Sequence, residues 1–407
     1  MSFFHTTLSN GLNLVGESLP QARSVAFGFF VRAGSRDETP EVNGVSHFLE
    51  HMVFKGTERY SAEDVNRLFD DVGAQYNAST SEETTLFYAA VLPEFLPVTF
   101  PLQADVLYPA LRDSDFDTEK QVILEEIGMY DDQPSYVAYD AAMRRHFAGH
   151  PLGQIILGTT ESVTRLTSQQ MRQYHSERYL AGNIVLAVSG QFDWPAVVAQ
   201  AEQCCGYWPA GKPDRSCPPA HPVTSAEWIQ RSHLQQQQIV RMAPAPSATD
   251  PKRFAAELLS VIVGDDSNSR LYWELVDPGH ADTAEISFNE YEGTGTYLTF
   301  LSGEPEETAA NLERLAKVCD DVNRHGVTAD ELQLAKNKVS TRIVLRGERP
   351  MGRLATLGQD WLVRQEYRSI ADDLQVLNSL TLDDLHALLE EFPLADTTTV
   401  GVGPVTF

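Results

Sequence analysis

Cysteine is scarce in this chain. There are four in 407 residues (Cys204, Cys205, Cys217 and Cys319), none in Cys-x-x-Cys spacing. That argues against a cysteine zinc site and fits a reducing compartment. Long apolar runs are missing too: nothing approaches the roughly 18 residues of a membrane span. The opening Met1-Ser2-Phe3-Phe4-His5 has no basic stretch leading into an apolar run, so no targeting leader is expected. A bacterial-type cytoplasmic location is the default expectation, with no membrane partner. Basic residues are also few. Thirty-one Lys and Arg stand against 57 Asp and Glu, a formal charge of −26. Phosphate binding needs Lys/Arg clusters, so nucleic acid is not the expected partner. The acidic balance would suit a basic peptide, but a solvated acidic surface is the simpler account of it.

What is present is ordinary for a globular protein: 42% hydrophobic and 22% charged residues exclude disordered and fibrous architectures. A chain of 407 residues is long for one core. The densest Pro/Gly punctuation lies between Gly206 and Trp228, with Pro209, Pro213, Pro218, Pro219 and Pro222. It reads as an exposed linker at 208–228, dividing domains at 1–207 and 229–407. The halves repeat an order of elements. Strands are expected at Gly11–Val15, Ser24–Ala33, Ala74–Ser79, Thr84–Val91 and Ile184–Ser189, with a capping box opening a helix at Ser61. Helical patterns run from Pro93 to Tyr108 and from Ser114 to about Phe147. The second half offers strands at His233–Met242, Thr283–Asn289 and Tyr297–Ser302. Its helices are expected at Pro251–Val263, Ser269–Leu275, Glu307–His325 and Thr328–Leu345. The fold class is therefore α+β: two tandem, homologous domains, each a mostly antiparallel sheet flanked by helices.

One pentapeptide carries chemistry: His47-Phe48-Leu49-Glu50-His51. Residues four apart on a helix share a face, so both imidazoles can reach one metal ion at about 2 Å. Glu50 leans toward the same ion. This is the inverted zincin pattern, with Glu as general base. The second half has no His-x-x-Glu-His, so only the first is expected to do chemistry. His146 and His150 are also four apart, but Gly149 and Pro151 mark a helix end there. Catalytic zinc takes three protein ligands and leaves a position for water. The third is sought among the carboxylates of Glu119–Glu126. Glu119 and Glu126 lie seven apart on one helix face, with Val122, Ile123 and Ile127 read as its buried side.

The run GVSHFLEHMVFKGT (Gly44 to Thr57) resembles the active-site helix of the pitrilysin family of zinc peptidases. Within it, the chain is similar to mitochondrial processing peptidase β-subunits and their bacterial homologues. YNASTSEETTLFY (Tyr76 to Tyr88), EKQVILEEI (Glu119 to Ile127), HPLGQIILGTTESV (His150 to Val163) and SRLYWEL (Ser269 to Leu275) extend the resemblance over nearly the whole chain. It implies the LuxS/MPP-like metallohydrolase fold. It implies one Zn2+ per chain on His47, His51 and Glu126, with Glu50 as the general base. Glu119 takes the family's second acidic position, supporting activity without ligating. The substrate is a peptide added as a strand to a sheet edge, here at Asn77-Ala78-Ser79-Thr80, with the Asn77 side chain and the Ala78 backbone as contacts.

One departure bears on partners. Members of this family that work alone carry an Arg and a Tyr seven apart in the second half. Alignment on Leu271–Leu275 puts Val276 and Thr283 there, and Gly264-Asp265-Asp266-Ser267-Asn268 replaces a glycine-rich stretch. The expectation is a zinc endopeptidase acting as the catalytic subunit of a heterodimer. A homologous non-catalytic subunit would supply the Arg/Tyr pair, a homodimer being the other arrangement. The alternative function is a non-catalytic structural or partner subunit of a peptidase-like complex.

Overall fold

A computed structural model of the chain describes residues 2–222, 224–395 and 398–406. The described residues form two compact units, and neither is contiguous. The first combines Met1–Gly128, Gln154–Ser216 and Leu345–Arg368; the second combines Met129–Gly153, Cys217–Val344 and Ser369–Phe407.

The first unit is built on strands β1 (Ser2–Thr7), β2 (Asn13–Ser18), β3 (Val25–Val31), β4 (Gln75–Thr80), β5 (Thr85–Val91) and β6 (Ile184–Gly190). Their order is β1-β2-β6-β3-β5-β4. All neighbours pair antiparallel except β2 with β6, which are parallel. All seven residues of central β3 are buried, because both sheet faces are covered. On one face Phe27 and Phe29 meet Phe100 of helix Leu96–Val106. On the other, Ala26 and Phe30 join Val15, Val185 and Ala187 beneath Leu354 and Leu357 of helix Pro350–Arg364.

That second cover comes from the far end of the chain. The second unit does the converse. Its sheet holds β7 (Ser225–Gln230), β8 (Gln237–Ala245), β9 (Thr283–Tyr291), β10 (Thr294–Gly303) and β11 (Thr398–Gly403), ordered β7-β11-β8-β10-β9. One face is covered by helix Pro134–His146, whose Ala138, Ala141 and Ala142 lie on Val240, Met242, Val400 and Val402. Each half of the chain thus lends one helix to the other half's sheet. The two-domain α+β architecture is as the sequence reads, but the compact units follow apolar faces rather than sequence order.

Several local expectations change. The pattern from Ser114 to Phe147 is two helices, Asp113–Asp131 and Pro134–His146. Pro134 cannot continue a helix, and it holds Gln133 at φ −101°, ψ 105°, outside the helical region. Ser269–Leu275 is not a regular α-helix; Tyr272–Val276 is a π turn. The connecting segment changes unit between Ser216 and Cys217, inside the expected 208–228, of which residue 223 lies outside the described residues. It is not simply exposed: the Arg215 side chain is 3% accessible, drawn inward by an ion pair with Asp37.

Candidate metal and peptidase site

The pentapeptide lies on helix α1 (Val45–Val53). Gly44 precedes it at φ +93°, and a Cβ there would stand 2.6 Å from the Leu157 carbonyl oxygen, so only glycine fits. With glycine before the helix, no local side chain caps its first N–H groups. Glu38 does so from upstream. Its Oε1 accepts the Ser46 N–H at 2.8 Å, and its Oε2 accepts the Gly44 N–H at 2.7 Å and Asn43 Nδ2 at 2.8 Å. A carboxylate at a helix N-terminus is favoured by the helix dipole. Burial nonetheless pushes the Glu38 carboxyl up to about 8, against the hydrogen bonds from Ser46, Gly44 and Asn43, which favour its charged form.

His47, His51 and Glu126 come together. One ligand atom from each lies within 4.8 Å of the others. Glu126 Oε2 is 3.9 Å from His47 Nε2 and 3.5 Å from His51 Nε2. Glu126 sits on helix α2 (Asp113–Asp131) and is half-buried, whereas neighbouring Glu125 is exposed. Glu119, two turns earlier, is buried; its Oε1 is 3.0 Å from His51 Nδ1 and its Oε2 2.6 Å from Lys55 Nζ. Val122 is not on the buried side of α2 as expected. It is 43% exposed, and Phe116, Glu119, Ile123 and Ile127 form the buried stripe, spaced three and four apart.

The charge logic of the cluster is specific. Glu119 accepts a hydrogen bond from His51 Nδ1–H, the tautomer that leaves the lone pair of a neutral ring on Nε2. Burial first, and then the nearby His51, lower the His47 pKa to about 4. Two imidazoles and one carboxylate therefore converge on one point. Two imidazoles with one carboxylate are a donor set that suits Zn2+. The residues present fit the metal.

Glu50 projects from α1 beside the cluster. Thr80 Oγ1 donates to its Oε2 at 2.5 Å. Burial raises the Glu50 pKa, and the Thr80 hydrogen bond opposes that rise. Thr80 ends β4, the outermost strand of the sheet, which among the described residues pairs only with β5. Along β4, Tyr76, Ala78 and Thr80 share one face and Gln75, Asn77 and Ser79 the exposed one. The Ala78 N–H is not in the ladder; it donates to Asn77 Oδ1 at 2.9 Å. The two residues expected to contact a peptide thus occupy a free edge, one capping the other's backbone.

Sequence reading passed over three supports: Glu38, Lys55 and the Thr80 bond to Glu50. Lys55 was findable, being four residues beyond His51 in the turn that ends α1. The others act across the fold. In the second unit, Val276 packs against the core and Thr283 opens β9 opposite Ser302. His146 Nδ1 meets Thr398 Oγ1, and His150 Nε2 meets the Pro218 carbonyl.

An α+β fold carrying a His/His/Glu cluster is the form of a metallopeptidase, and comparison with known proteins agrees. Residues 14–160 match the model of insulinase, peptidase family M16, and residues 165–339 that of the M16 inactive domain. The chain belongs to peptidase family M16, as the resemblance to pitrilysin-type peptidases implied. It is 31% identical over 396 residues to an uncharacterized zinc protease of Streptomyces coelicolor, covering 95% of this chain and 86% of that protein. An uncharacterized zinc protease of Bacillus subtilis is 30% identical over 406 residues, covering 98% and 97%. Among solved structures, a protease from Helicobacter pylori superposes with TM-score 0.91 at 22% identity, covering 99% of each chain. An M16 inactive domain from Pseudomonas fluorescens gives 0.93 at 18%, covering 100% of this chain and 98% of that one. At those identities the likeness is one of fold. Among the described residues, no helix is long and apolar enough to cross a membrane.

Proposed function

We propose that this chain is a zinc endopeptidase that cleaves extended peptides, and that it is the catalytic subunit of a heterodimer. The observation that carries the catalytic reading is the convergence of His47 Nε2, His51 Nε2 and a Glu126 oxygen next to a carboxylate, Glu50, that is not part of the cluster. His47, His51 and Glu126 would hold one Zn2+, which when bound supplies Lewis acidity and lowers the pKa of its water toward ~7.

The chain's own residues do the rest. Glu119 fixes the His51 tautomer through Nδ1–H, and Lys55 neutralises Glu119. Thr80 holds one Glu50 oxygen, leaving the other free. That free oxygen takes a proton from the attacking water as it adds to the peptide carbonyl. It then gives the proton to the departing amine, so one carboxylate serves as base and acid in turn. The substrate adds to the β4 edge as an antiparallel or parallel strand. The Asn77 side chain swings off the Ala78 N–H, and the peptide takes over that donor.

The heterodimer reading is supported by Val276 and Thr283, which stand where self-sufficient relatives carry Arg and Tyr. Neither side chain can donate a charge-assisted hydrogen bond to a peptide carbonyl. A homologous subunit without a metal site would bring that pair. The test is turnover of an unfolded peptide by the purified chain, alone and with a candidate partner. Activity only with the partner, lost in Glu50→Gln at unchanged zinc content, is expected. Full activity of the chain alone would overturn the partner. Undiminished activity of Glu50→Gln in the active assembly would overturn the base.

A further inference from the structure

The segment leaving the first unit does more than connect. We propose that Arg215, in this segment, is a positioning residue for the metal helix α1, acting through loop 34–38. The zinc-peptidase reading above defines what α1 does; the way α1 is held stands on geometry alone.

Loop 34–38 joins β3 to the region before α1, and it ends in Glu38, which bonds the Gly44 and Ser46 N–H groups. On its other side the loop is interlocked with turn 81–84. A Cβ at Gly34 would stand 2.3 Å from the Ser81 carbonyl oxygen, so the two backbones touch. The Arg36 N–H donates to the Glu82 carbonyl at 2.8 Å, and the Arg36 guanidinium pairs with Glu83, with those side chains 1% and 7% exposed. Turn 81–84 directly follows Thr80, which holds Glu50. The loop and the turn therefore carry the two ends of the site, the start of α1 and the end of β4.

Arg215 ties the two together. Its Nε donates to Asp37 Oδ1 at 3.0 Å and its Nη2 to Asp37 Oδ2 at 2.5 Å. Nη2 also donates to the Glu83 carbonyl at 2.7 Å. Arg215 and Asp37 side chains are 3% and 2% exposed, so neither can turn to water without moving the chain. Arg178 touches Asp37 Oδ1 from 3.5 Å, and Arg36 Nη2 reaches the Ser216 carbonyl at 3.4 Å. A two-pronged Arg–carboxylate pair fixes orientation as well as distance. Removing one partner leaves a buried charge that the structure must rearrange to solvate. Asp37 is adjacent to Glu38, and Ser46 to His47. Displacing Asp37 therefore loosens the Glu38 hold on the first turn of α1, one residue from a metal ligand. Supports of this kind alter metal affinity by about 10- to 100-fold.

The test uses the full chain as wild type, Arg215→Ala and Arg215→Lys. Amide exchange is followed at Gly44 and Ser46, zinc affinity by competition with a chelator. In Arg215→Ala, exchange at these two amides should speed by about 10-fold or more while the β3 and β6 amides stay as slow as in wild type. Zinc should bind about 10- to 100-fold more weakly. Arg215→Lys keeps the charge without the fork and should fall between. Unchanged exchange at Gly44 and Ser46, or a uniform rise at all amides, would overturn the proposal. Should Arg215→Ala not fold, Arg215→Lys decides by the same two signatures. If wild type binds no zinc, the peptidase reading fails, and the amide pattern still decides how α1 is held.

Discussion

Thr80 donates its hydroxyl hydrogen to Glu50 across 2.5 Å, from the last residue of an edge strand to the middle of the metal helix. The bond holds one carboxylate oxygen and aims the other. Thr80→Val keeps the branched shape and removes the donor. In the active assembly it should lower kcat by about 10-fold or more, with zinc content unchanged, in line with the 10²–10⁴-fold reach of general-base catalysis. Steady-state kinetics beside metal analysis would check this; an unchanged kcat would leave Thr80 without a role.

Glu119 has a different task, and its loss should read out differently. Its Oε1 accepts from His51 Nδ1 while Oε2 meets Lys55. Glu119→Gln keeps the shape but weakens the hold on the His51 tautomer. Zinc affinity should drop by about 10- to 100-fold, measured by chelator competition. An affinity equal to wild type would mean that the ring is set by packing alone.

How much of this site could be read from the sequence depends on distance along the chain. His47, Glu50 and His51 share one helix, so their spacing suffices. Glu126 is 75 positions from His51, and it emerged only from the register of the Val-Ile-Leu run against family members. Thr80 lay within a segment read as a substrate edge, but its bond to Glu50 is a tertiary contact that no local period encodes. Glu38 was passed over for the same reason, since a helix whose cap is glycine gives no capping signal of its own. The hairpin of β4 and β5 was legible through alternation. The exchange of helices Pro134–His146 and Pro350–Arg364 was not, because an apolar helix face does not say which sheet it will cover.

That exchange predicts where the chain can be cut. Helix Pro350–Arg364 covers Val15, Ala26, Phe30, Val185 and Ala187. Residues 1–207 expressed alone would expose that face and should aggregate. A peptide of residues 345–368 added in trans should restore solubility. Within the full chain, Leu357→Ala should cost about 2–5 kcal/mol, read by denaturant unfolding. A stable, monomeric 1–207 fragment would contradict the account.

Two buried histidines outside the site set an acid limit. Burial lowers both His146 and His175 to about 4, the latter against a hydrogen bond to Leu107. Below about 6.5 the unfolded chain binds a proton at each that the folded chain refuses. Stability should therefore be full above pH 6.5 and fall as pH drops from 6.5 toward 4, by about 3 kcal/mol for each histidine. His146→Gln should flatten this slope without changing its sign, in unfolding measured at several pH values. An equal slope in the variant would remove His146 from the account.

The central claim is that His47, His51 and Glu126 form one metal site. Zinc stoichiometry of the purified chain, measured beside that of His51→Ala at equal protein and zinc concentrations, tests it most directly. The account predicts one tightly held zinc per wild-type chain and none on the variant. A wild-type chain that takes up no zinc, or a variant that takes up as much, would contradict it.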